Sequence, residues 1–355
     1  MTQLQNRIVR LYGQDDLRVE TESVTSPGPG EVRVAVLAGG VCGSDLHYWL
    51  DGGIGTIRVR EPIILGHEAA GRIEVLGEGV TGLKIGQLVA MNPSHPCGHC
   101  RFCKEGLSIH CAEMKFKGSA MYLPHQQGMF RDRIVVGAGQ CHILPEGTDP
   151  GAAACAEPLA VCLHAANRGM AAAGDLAGKV VLVTGAGPIG ALCVAVARQR
   201  GAAEVIVTDI QDATLAVARK MGADHTVNKR TSPDGLSPWQ AGKGRVDLAF
   251  ECSAAAPAIH DAISCLRPRG TLVQVGVAGP TSLPLNVLVG KEILLIGSQR
   301  FDREFADAAT MIGSGAIDPR PMITGTYPVS KALAAFEAAK DRSQAVKVQI
   351  SFADA

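Results

Sequence analysis

The sequence predicts an α/β protein that joins a doubly wound parallel sheet to a small, tightly turned β-barrel. Between about residues 180 and 297, short runs of valine, isoleucine and leucine alternate with helical patterns. That alternation is typical of parallel strands connected by helices. Earlier in the chain, short apolar strands are separated by closely spaced glycines, at positions 71, 77, 79, 82 and 86. This spacing of glycines and short strands is typical of a small barrel. A chain of 355 residues is long enough for two domains with separate cores.

Charge and hydropathy exclude several classes of partner. Lysine and arginine balance aspartate and glutamate, so the formal net charge is zero and there is no electrostatic case for nucleic acid or an anionic membrane. The sequence has no uninterrupted apolar run of membrane-spanning length and no apolar core of a signal peptide near its start. We therefore expect a cytoplasmic protein that binds neither nucleic acid nor membrane.

The stretch from Lys179 to Asp209 predicts a strand–helix–strand unit. Val180 to Val183 has the composition of a strand buried on both faces, and a helical pattern then runs to about Arg200. A second apolar strand covers Glu204 to Thr208.

The glycine motif inside this unit predicts a dinucleotide site. Gly185 permits the tight turn, Gly187 lets the backbone approach a pyrophosphate, and Gly190 lets the helix pack on the strand. Asp209 lies 19 residues beyond Gly190, where its carboxylate can accept hydrogen bonds from the adenosine ribose. The same carboxylate would repel a 2′-phosphate and no lysine or arginine occurs at 210–214, so NAD is preferred over NADP.

Four of the eleven cysteines are crowded into fifteen residues: Cys97, Cys100, Cys103 and Cys111. Two-residue gaps let thiolates converge on one tetrahedral ion, so this spacing predicts a closed structural zinc site. The three nearby histidines are alternative ligands, but four thiolates complete the site and we expect solvent-facing side chains at His95, His99 and His110.

A second group of possible metal ligands is dispersed along the chain. Cys42, His67, Glu68 and Glu157 are residue types that bind a catalytic zinc. Their spacing in the sequence does not show that these side chains meet in space. The alternative interpretation is that Cys42 is a buried thiol and His67 a histidine of the core. Cys42 begins a compact polar cluster that includes Ser44 and His47.

The remaining patterns place both ends of the chain in the barrel. A small-residue helix is predicted at 151–172, and the C-terminal part is predicted to form a loop and strand, a helix and a last strand, at 321–330, 331–340 and 346–352. The barrel domain is therefore expected to be discontinuous.

Six motifs together make the chain resemble the zinc-dependent medium-chain alcohol/polyol dehydrogenases. They are CGSDLH (42–47), GHE (66–68), the four-cysteine segment, AEPLAV (156–161), GAGPIG (185–190) and Asp209. The resemblance spans nearly the whole chain. It implies a GroES-like catalytic domain at 1–155, a Rossmann NAD-binding domain at 156–295 and a return to the catalytic domain at 296–355.

Within that family the chain resembles the sorbitol dehydrogenase branch at Tyr48-Trp49, Glu157 and 297–300. Three longer segments, 116–130, 156–166 and 344–349, look like the L-idonate 5-dehydrogenases. This group interconverts L-idonate and 5-keto-D-gluconate. A neutral polyol of the sorbitol or xylitol type is the alternative substrate, and a non-catalytic NAD(H)-binding sensor is the alternative from another class.

The resemblance also implies roles for single residues. A catalytic zinc would be bound by Cys42, His67 and Glu68, and by Glu157 either directly or through a water molecule. Together with the structural site, this implies two zinc ions per chain. Ser44 would accept the substrate proton and pass it toward His47. The substrate pocket would be lined by Tyr48, Phe116, Glu157 and Arg300. The dinucleotide would contact Gly185, Gly187, Pro188, Ile189, Gly190, Asp209, Val275, Gly276, Val277, Ser298 and Gln299.

A sugar-acid substrate needs a cationic partner for its carboxylate. Arg300 is the first candidate, since a guanidinium binds a carboxylate through two hydrogen bonds. Lys117 and His125 are further candidates, although both are expected to be ordinary surface residues. The family implies a homo-oligomer, a tetramer or a dimer.

Overall fold

The computed structural model describes residues 5–277 and 279–353. The barrel part is organised around a sheet with the strand order β12-β8-β7-β3-β20-β19, and β11 also pairs with β3. Its strands are β3 (Glu31–Gly40), β7 (Glu68–Leu76), β8 (Leu88–Met91), β11 (Arg133–Gly137), β12 (Cys141–Ile143), β19 (Ile323–Pro328) and β20 (Lys347–Ser351). Because β20 pairs antiparallel with β3, the C-terminal segment completes the sheet begun near the N-terminus.

Smaller sheets surround this one. A three-stranded sheet has the order β2-β1-β6, and two further antiparallel pairs join β4 to β5 and β9 to β10. The strands are β1 (Gln5–Gly13), β2 (Asp16–Ser23), β4 (Gly53–Ile54), β5 (Ile57–Arg58), β6 (Ile63–Ile64), β9 (Ser94–His95) and β10 (Lys115–Phe116).

The second half contains a six-stranded, wholly parallel sheet with the order β15-β14-β13-β16-β17-β18. Its strands are β13 (Val180–Thr184), β14 (Glu204–Asp209), β15 (His225–Asn228), β16 (Val246–Glu251), β17 (Leu266–Gln274) and β18 (Leu294–Gly297). The order reverses between β13 and β16, and ligands bind at such a switch point beyond the carboxyl ends of the strands. The predicted fold class is confirmed, whereas the exact domain boundaries stay a prediction.

Eleven α-helices connect these strands in the described residues. They are α1 (Gly43–Asp51), α2 (Arg101–Lys104), α3 (Pro150–Ala154), α4 (Ala156–Ala173), α5 (Pro188–Gln199), α6 (Asp212–Lys220), α7 (Ser237–Gln240), α8 (Ala256–Cys265), α9 (Leu285–Lys291), α10 (Glu304–Gly313) and α11 (Ala332–Lys340). No helix within 5–277 and 279–353 is both long and apolar enough to cross a lipid bilayer.

Residue patterns explain the elements that position the site. Along β3 the valines at 32, 34 and 36 are buried while their neighbours are partly exposed, as period-two alternation dictates. The helix predicted at 151–172 is two helices that meet at Cys155, because Pro158 has no N–H to donate to the carbonyl of Ala154. Helix α4 packs on α5 and β17 and also contacts β7, so its N-terminus lies between the two domains.

Helix α10 is anchored to α4 by a buried carboxylate, which gives the protein a specific acid sensitivity. Glu304 accepts hydrogen bonds from His164 Nδ1 (3.0 Å), Asn167 Nδ2 (3.1 Å) and the backbone of Asp302 (2.8 Å). Burial alone would raise the pKa of Glu304, but these hydrogen bonds lower it to about 2. A depressed pKa stabilises the fold above the unfolded value of about 4.3, and that stability is lost as pH falls toward 2.

We predict that Glu304→Gln flattens the acid dependence of the unfolding free energy. Between pH 5 and pH 3 the parent should lose about 1 kcal/mol more than the variant, after allowance for solvent screening. Denaturant titrations at several pH values measure this difference. Equal slopes for the two proteins would contradict the assigned role of Glu304.

Candidate active site

Three predicted metal ligands meet at the junction of α1 and β7. The side chains of Cys42, His67 and Glu68 place one ligand atom each within 4.8 Å of one another. Cys42 caps the N-terminus of α1, and Glu68 is the first residue of β7. His67 and Glu68 are 6% and 1% exposed. A thiolate, an imidazole and a carboxylate with a further position open form a donor set that suits a catalytic zinc.

Asp45 joins the two segments that carry these ligands, and sequence analysis missed it. Its fully buried carboxylate accepts hydrogen bonds from the backbone N–H groups of Cys42 (2.9 Å) and Gly66 (3.2 Å). It also lies 3.7 Å from Nδ1 of His67. A carboxylate that orients a histidine ligand raises its basicity and fixes its ring. The only signal in the sequence was its place inside CGSDLH.

Lys347 is a second residue that sequence analysis did not single out. It is 1% exposed, and its Nζ donates to both carboxylate oxygens of Glu68 (2.7 and 2.8 Å) and to the carbonyl of Val41 (3.1 Å). Burial would lower its pKa, but Glu68 and the Cys42 thiol more than offset this and raise it. On the other side of the carboxylate, a Cβ added to Gly40 would lie 2.1 Å from Glu68 Oε2. Lys347 and the bare backbone of Gly40 therefore fix the position of Glu68.

The electrostatics of this pocket favour a cation. Burial alone would lower the pKa of His67, but Asp45, Cys42 and Glu157 raise it well above its usual value. Burial raises the pKa of Glu157 to about 7, and Glu68 adds to that shift. Glu157 itself is 5% exposed, at the start of α4. Several acidic groups thus compete for protons in a buried space, and a divalent cation would relieve that competition.

The predicted proton acceptors occupy the exposed side of α1. Ser44 is half-buried and His47 is exposed. His47 Nδ1 lies 2.8 Å from Oδ2 of Asp51, one turn further along the helix. A proton that reaches His47 can therefore pass directly to bulk water.

Arg300 lies in a pocket wall next to the ligand set. Its guanidinium carbon is 4.0 Å from the centre of the Phe116 ring, and that ring is 5.6 Å from the ring of His67. Burial lowers the pKa of Arg300, although Glu157 and Tyr48 partly offset the effect. Arg300 also adopts a left-handed backbone conformation, with φ of 45°, which is costly for a non-glycine residue.

Tyr48 is buried in the same region, and its hydroxyl oxygen accepts a hydrogen bond from the backbone of Ala120 at 3.2 Å. Its hydroxyl proton remains available for another acceptor.

The four-cysteine segment forms a compact cluster around α2. The sulfur atoms of Cys97, Cys100, Cys103 and Cys111 all lie within 4.8 Å of one another. Backbone N–H groups point at two of these sulfurs, with Cys97 donating to Cys111 (3.2 Å) and Cys100 donating to Cys97 (3.4 Å). Backbone groups of Cys103 and Ala112 lower the pKa of Cys100 to about 6. Four thiolates complete the tetrahedral coordination of an ion and leave no position for substrate, which suits a structural zinc. The nearby histidines at 95, 99 and 110 are exposed, as expected.

The glycine motif lies at the carboxyl end of the central strand β13. Gly185 has φ of +86°, and a Cβ on Gly190 would lie 1.8 Å from the carbonyl oxygen of Gly185. Gly187 caps α5 and Pro188 is its first residue, so the helix N-terminus opens into the switch point. Asp209 ends β14, and its carboxylate accepts a hydrogen bond from the backbone of Ala186 at 2.7 Å. This cradle fits the pyrophosphate and ribose of a dinucleotide.

The other predicted cofactor contacts follow the ends of β17 and β18, on the same edge of the sheet. Val275 and Gly276 are half-buried, and Val277 is 88% exposed. Ser298 is half-buried, and its Oγ has no hydrogen-bond partner among the residues that the structure describes. Gln299 is exposed.

The expectation that His125 is a surface residue is wrong. It is 3% exposed, its Nε2 accepts a hydrogen bond from the backbone of Arg60 (2.9 Å), and its Nδ1 lies 2.8 Å from the carbonyl of Tyr122. The backbone uses both nitrogens, so His125 cannot bind a substrate carboxylate. Lys117 is half-buried rather than exposed, and burial lowers its pKa.

Comparison with known proteins identifies the family. The model of the alcohol dehydrogenase GroES-like domain matches residues 28–146, and the model of the zinc-binding dehydrogenase domain matches residues 188–314. The L-idonate 5-dehydrogenase (NAD(P)(+)) of Escherichia coli is 41% identical over 320 residues, 90% of this chain and 91% of that protein. The chain belongs to the zinc-dependent medium-chain dehydrogenases.

Further similarities place it in the sorbitol dehydrogenase branch of that family. Sorbitol dehydrogenase of Macaca fascicularis is 35% identical, over 93% of this chain and 91% of that protein. The crystal structure of the Escherichia coli L-idonate 5-dehydrogenase superposes with a TM-score of 0.92 at 38% identity, and 99% of each chain is covered. This medium-chain dehydrogenase is therefore an oxidoreductase that acts on CH–OH groups and uses zinc and a nicotinamide dinucleotide.

Proposed function

We propose that this dehydrogenase oxidises the C5 hydroxyl of L-idonate with NAD and reversibly forms 5-keto-D-gluconate. The observation that carries this proposal is a half-buried guanidinium, that of Arg300, stacked on Phe116 beside the zinc-ligand set. The Escherichia coli relative named for this reaction, at 41% identity, supports the same substrate class.

The presumed metal ligands have distinct tasks in the proposed reaction. Cys42, His67, Glu68 and Glu157 would hold the catalytic zinc, which polarises the substrate hydroxyl and lowers its pKa when it is bound. Cys97, Cys100, Cys103 and Cys111 would hold a second, structural zinc. Asp45 and Lys347 keep the catalytic ligands in place before the metal arrives.

The chain's own polar residues move the proton. Ser44 accepts it from the substrate hydroxyl, and the proton then travels toward His47. The contact of His47 with Asp51 and their exposure give it an exit to solvent. Loss of the proton from the substrate hydroxyl favours departure of hydride from the same carbon, and the nicotinamide of a dinucleotide bound at the glycine motif would supply the acceptor for that hydride.

NAD is the proposed cofactor, because the carboxylate of Asp209 would repel a 2′-phosphate. The pyrophosphate would meet Gly185, Gly187 and Gly190 at the start of α5. The remaining proposed contacts are Pro188, Ile189, Val275, Gly276, Val277, Ser298 and Gln299.

Arg300 supplies the recognition of the carboxylate, and its removal provides a direct prediction. Arg300→Met should lower kcat/KM for L-idonate by about 10- to 100-fold, the usual range for a charge-assisted hydrogen-bonded pair. The effect should appear mainly in KM, and L-iditol, the neutral counterpart, should change less than about threefold. The exposed Arg303, replaced by methionine, is the matched control. Equal losses on both substrates would contradict a carboxylate role for Arg300.

A neutral polyol of the sorbitol or xylitol type is the second candidate substrate. The similarity to sorbitol dehydrogenases favours it. Initial rates with NAD and with NADP on L-idonate, D-gluconate, sorbitol and xylitol at equal concentration distinguish the two. A large preference for L-idonate with NAD supports the proposal, and a preference for sorbitol or xylitol overturns it.

We also propose that the dehydrogenase is a cytoplasmic homo-oligomer. The edge strand β18 and the preceding α9 expose apolar side chains at Leu285, Val289, Leu294 and Leu295, between 45% and 77% exposed. An exposed apolar edge strand pairs readily with an identical strand around a two-fold axis. Sedimentation at micromolar concentration tests this, and a monomer would overturn it. A reducing compartment suits the thiolates that both zinc sites require.

A further inference from the structure

Arg342 is a cation without a partner at the edge of the cleft. It lies in the turn between α11 and β20, with an exposed side chain. Within residues 5–277 and 279–353 its guanidinium makes no hydrogen bond or ion pair. The adjacent Asp341 does not pair with it, because that carboxylate accepts hydrogen bonds from Ser343 (3.0 Å) and Gln344 (3.1 Å).

The guanidinium of Arg342 faces two glycines from different parts of the fold. A Cβ built on Gly187 would lie 3.6 Å from its Nη1, and a Cβ built on Gly43 would lie 3.7 Å from its Nη2. Gly187 caps α5 within the dinucleotide motif, and Gly43 is the first residue of α1, directly after Cys42. Arg342 therefore bridges the barrel part and the nucleotide-binding part.

This arrangement places a guanidinium beside the N-termini of two helices, α1 and α5. Helix N-termini carry partial positive charge from their free N–H groups, and a guanidinium beside two of them is unfavourable unless an anion lies between. The dinucleotide motif already directs a pyrophosphate to the start of α5. A planar guanidinium binds phosphate oxygens through two parallel hydrogen bonds.

We propose that Arg342 binds the pyrophosphate of the dinucleotide from the barrel side, opposite the glycine motif. This inference rests on the dinucleotide cofactor of the proposed function and adds a residue that sequence motifs did not predict. The bound cofactor then connects the two domains through its phosphates. Arg342 contributes equally to NAD and NADP, which share the pyrophosphate, whereas Asp209 distinguishes them.

Calorimetric titration with ADP-ribose tests the role of Arg342 without turnover, since this fragment carries the pyrophosphate but no nicotinamide. Arg342→Gln should raise the Kd of the zinc-loaded protein for ADP-ribose by about 10- to 100-fold. Arg342→Lys should lose less, because it keeps the charge. The salt dependence of log Kd should become shallower in Arg342→Gln, as one phosphate contact is lost. The control Arg18→Gln removes the same charge from the exposed strand β2 and should bind like the parent.

The outcomes separate this inference from the proposed function. If the parent binds ADP-ribose and Arg342→Gln binds it equally well with an unchanged salt slope, the role of Arg342 is overturned and the cofactor proposal stands. If the parent does not bind ADP-ribose, the dinucleotide site itself is overturned. Thermal unfolding of Arg342→Gln should match the parent, because the side chain has no partner in the described residues.

Discussion

Replacement of Cys42 by alanine is expected to remove the proposed catalytic zinc, to leave the proposed structural zinc in place and to lower kcat/KM by about a thousandfold or more. The thiolate is one of three ligand atoms within 4.8 Å of one another, and its loss leaves too few ligands for a stable catalytic site. Polarisation of a hydroxyl by zinc is worth several kcal/mol, and each 1.36 kcal/mol is a factor of ten in rate. Metal analysis of the purified protein, together with steady-state kinetics, measures both effects.

A second cysteine provides the control for that experiment. Cys265 is a fully buried thiol at the end of α8, packed in the core of the parallel sheet. Cys265→Ala should keep two zincs and nearly full activity. Two zincs and normal activity in Cys42→Ala would contradict the assignment of the catalytic site.

Replacement of Lys347 by methionine is expected to lower the free energy of unfolding by about 3–5 kcal/mol, the usual cost of removing one partner of a buried ion pair. Lys347 and Glu68 are each 1% exposed, and the ammonium group also satisfies the carbonyl of Val41. Lys347 is the only hydrogen-bond donor to the Glu68 carboxylate among the described residues, so its removal leaves that carboxylate buried and unpaired. Zinc affinity should fall as well, since Glu68 is no longer held in position.

Denaturant unfolding and competition with a chelator measure the two consequences of Lys347→Met. The control is Lys340→Met, which removes an exposed lysine paired with Glu337, and surface pairs of this kind contribute about 0–1 kcal/mol. Unfolding free energy and zinc affinity equal to those of the control would show that the Lys347–Glu68 pair has no special role.

The fold was predictable because its signals are local. Valine-rich runs, period-two alternation along β3 and the glycines at the turn before α5 each report on neighbouring residues in the chain. The break between α3 and α4 at Cys155 was not predicted, although Pro158 was a visible cause. The start of β17 at Leu266 lies before a polar run at 267–270, where no apolar pattern marks a strand.

The active site was predictable only where motifs and the resemblance to the family named its members. Cys42, His67 and Glu68 do lie together, but their spacing in the sequence left a buried thiol and a core histidine equally open. Lys347 and Arg342 could not be found in that way, because the site residues that each one meets lie more than 150 positions away in the sequence. His125 was misjudged because its partners are backbone groups, of Arg60 and Tyr122, that only the folded chain brings to its ring.

We propose that this dehydrogenase selects a sugar acid through Arg300. The most direct measurement is kcat/KM of the unmodified protein with NAD on L-idonate and on L-iditol, which differ only in carboxylate against hydroxymethyl at C1. We predict a ratio of about ten or more in favour of L-idonate. A ratio near one, or a preference for L-iditol, would contradict it and assign the protein to the neutral polyol enzymes.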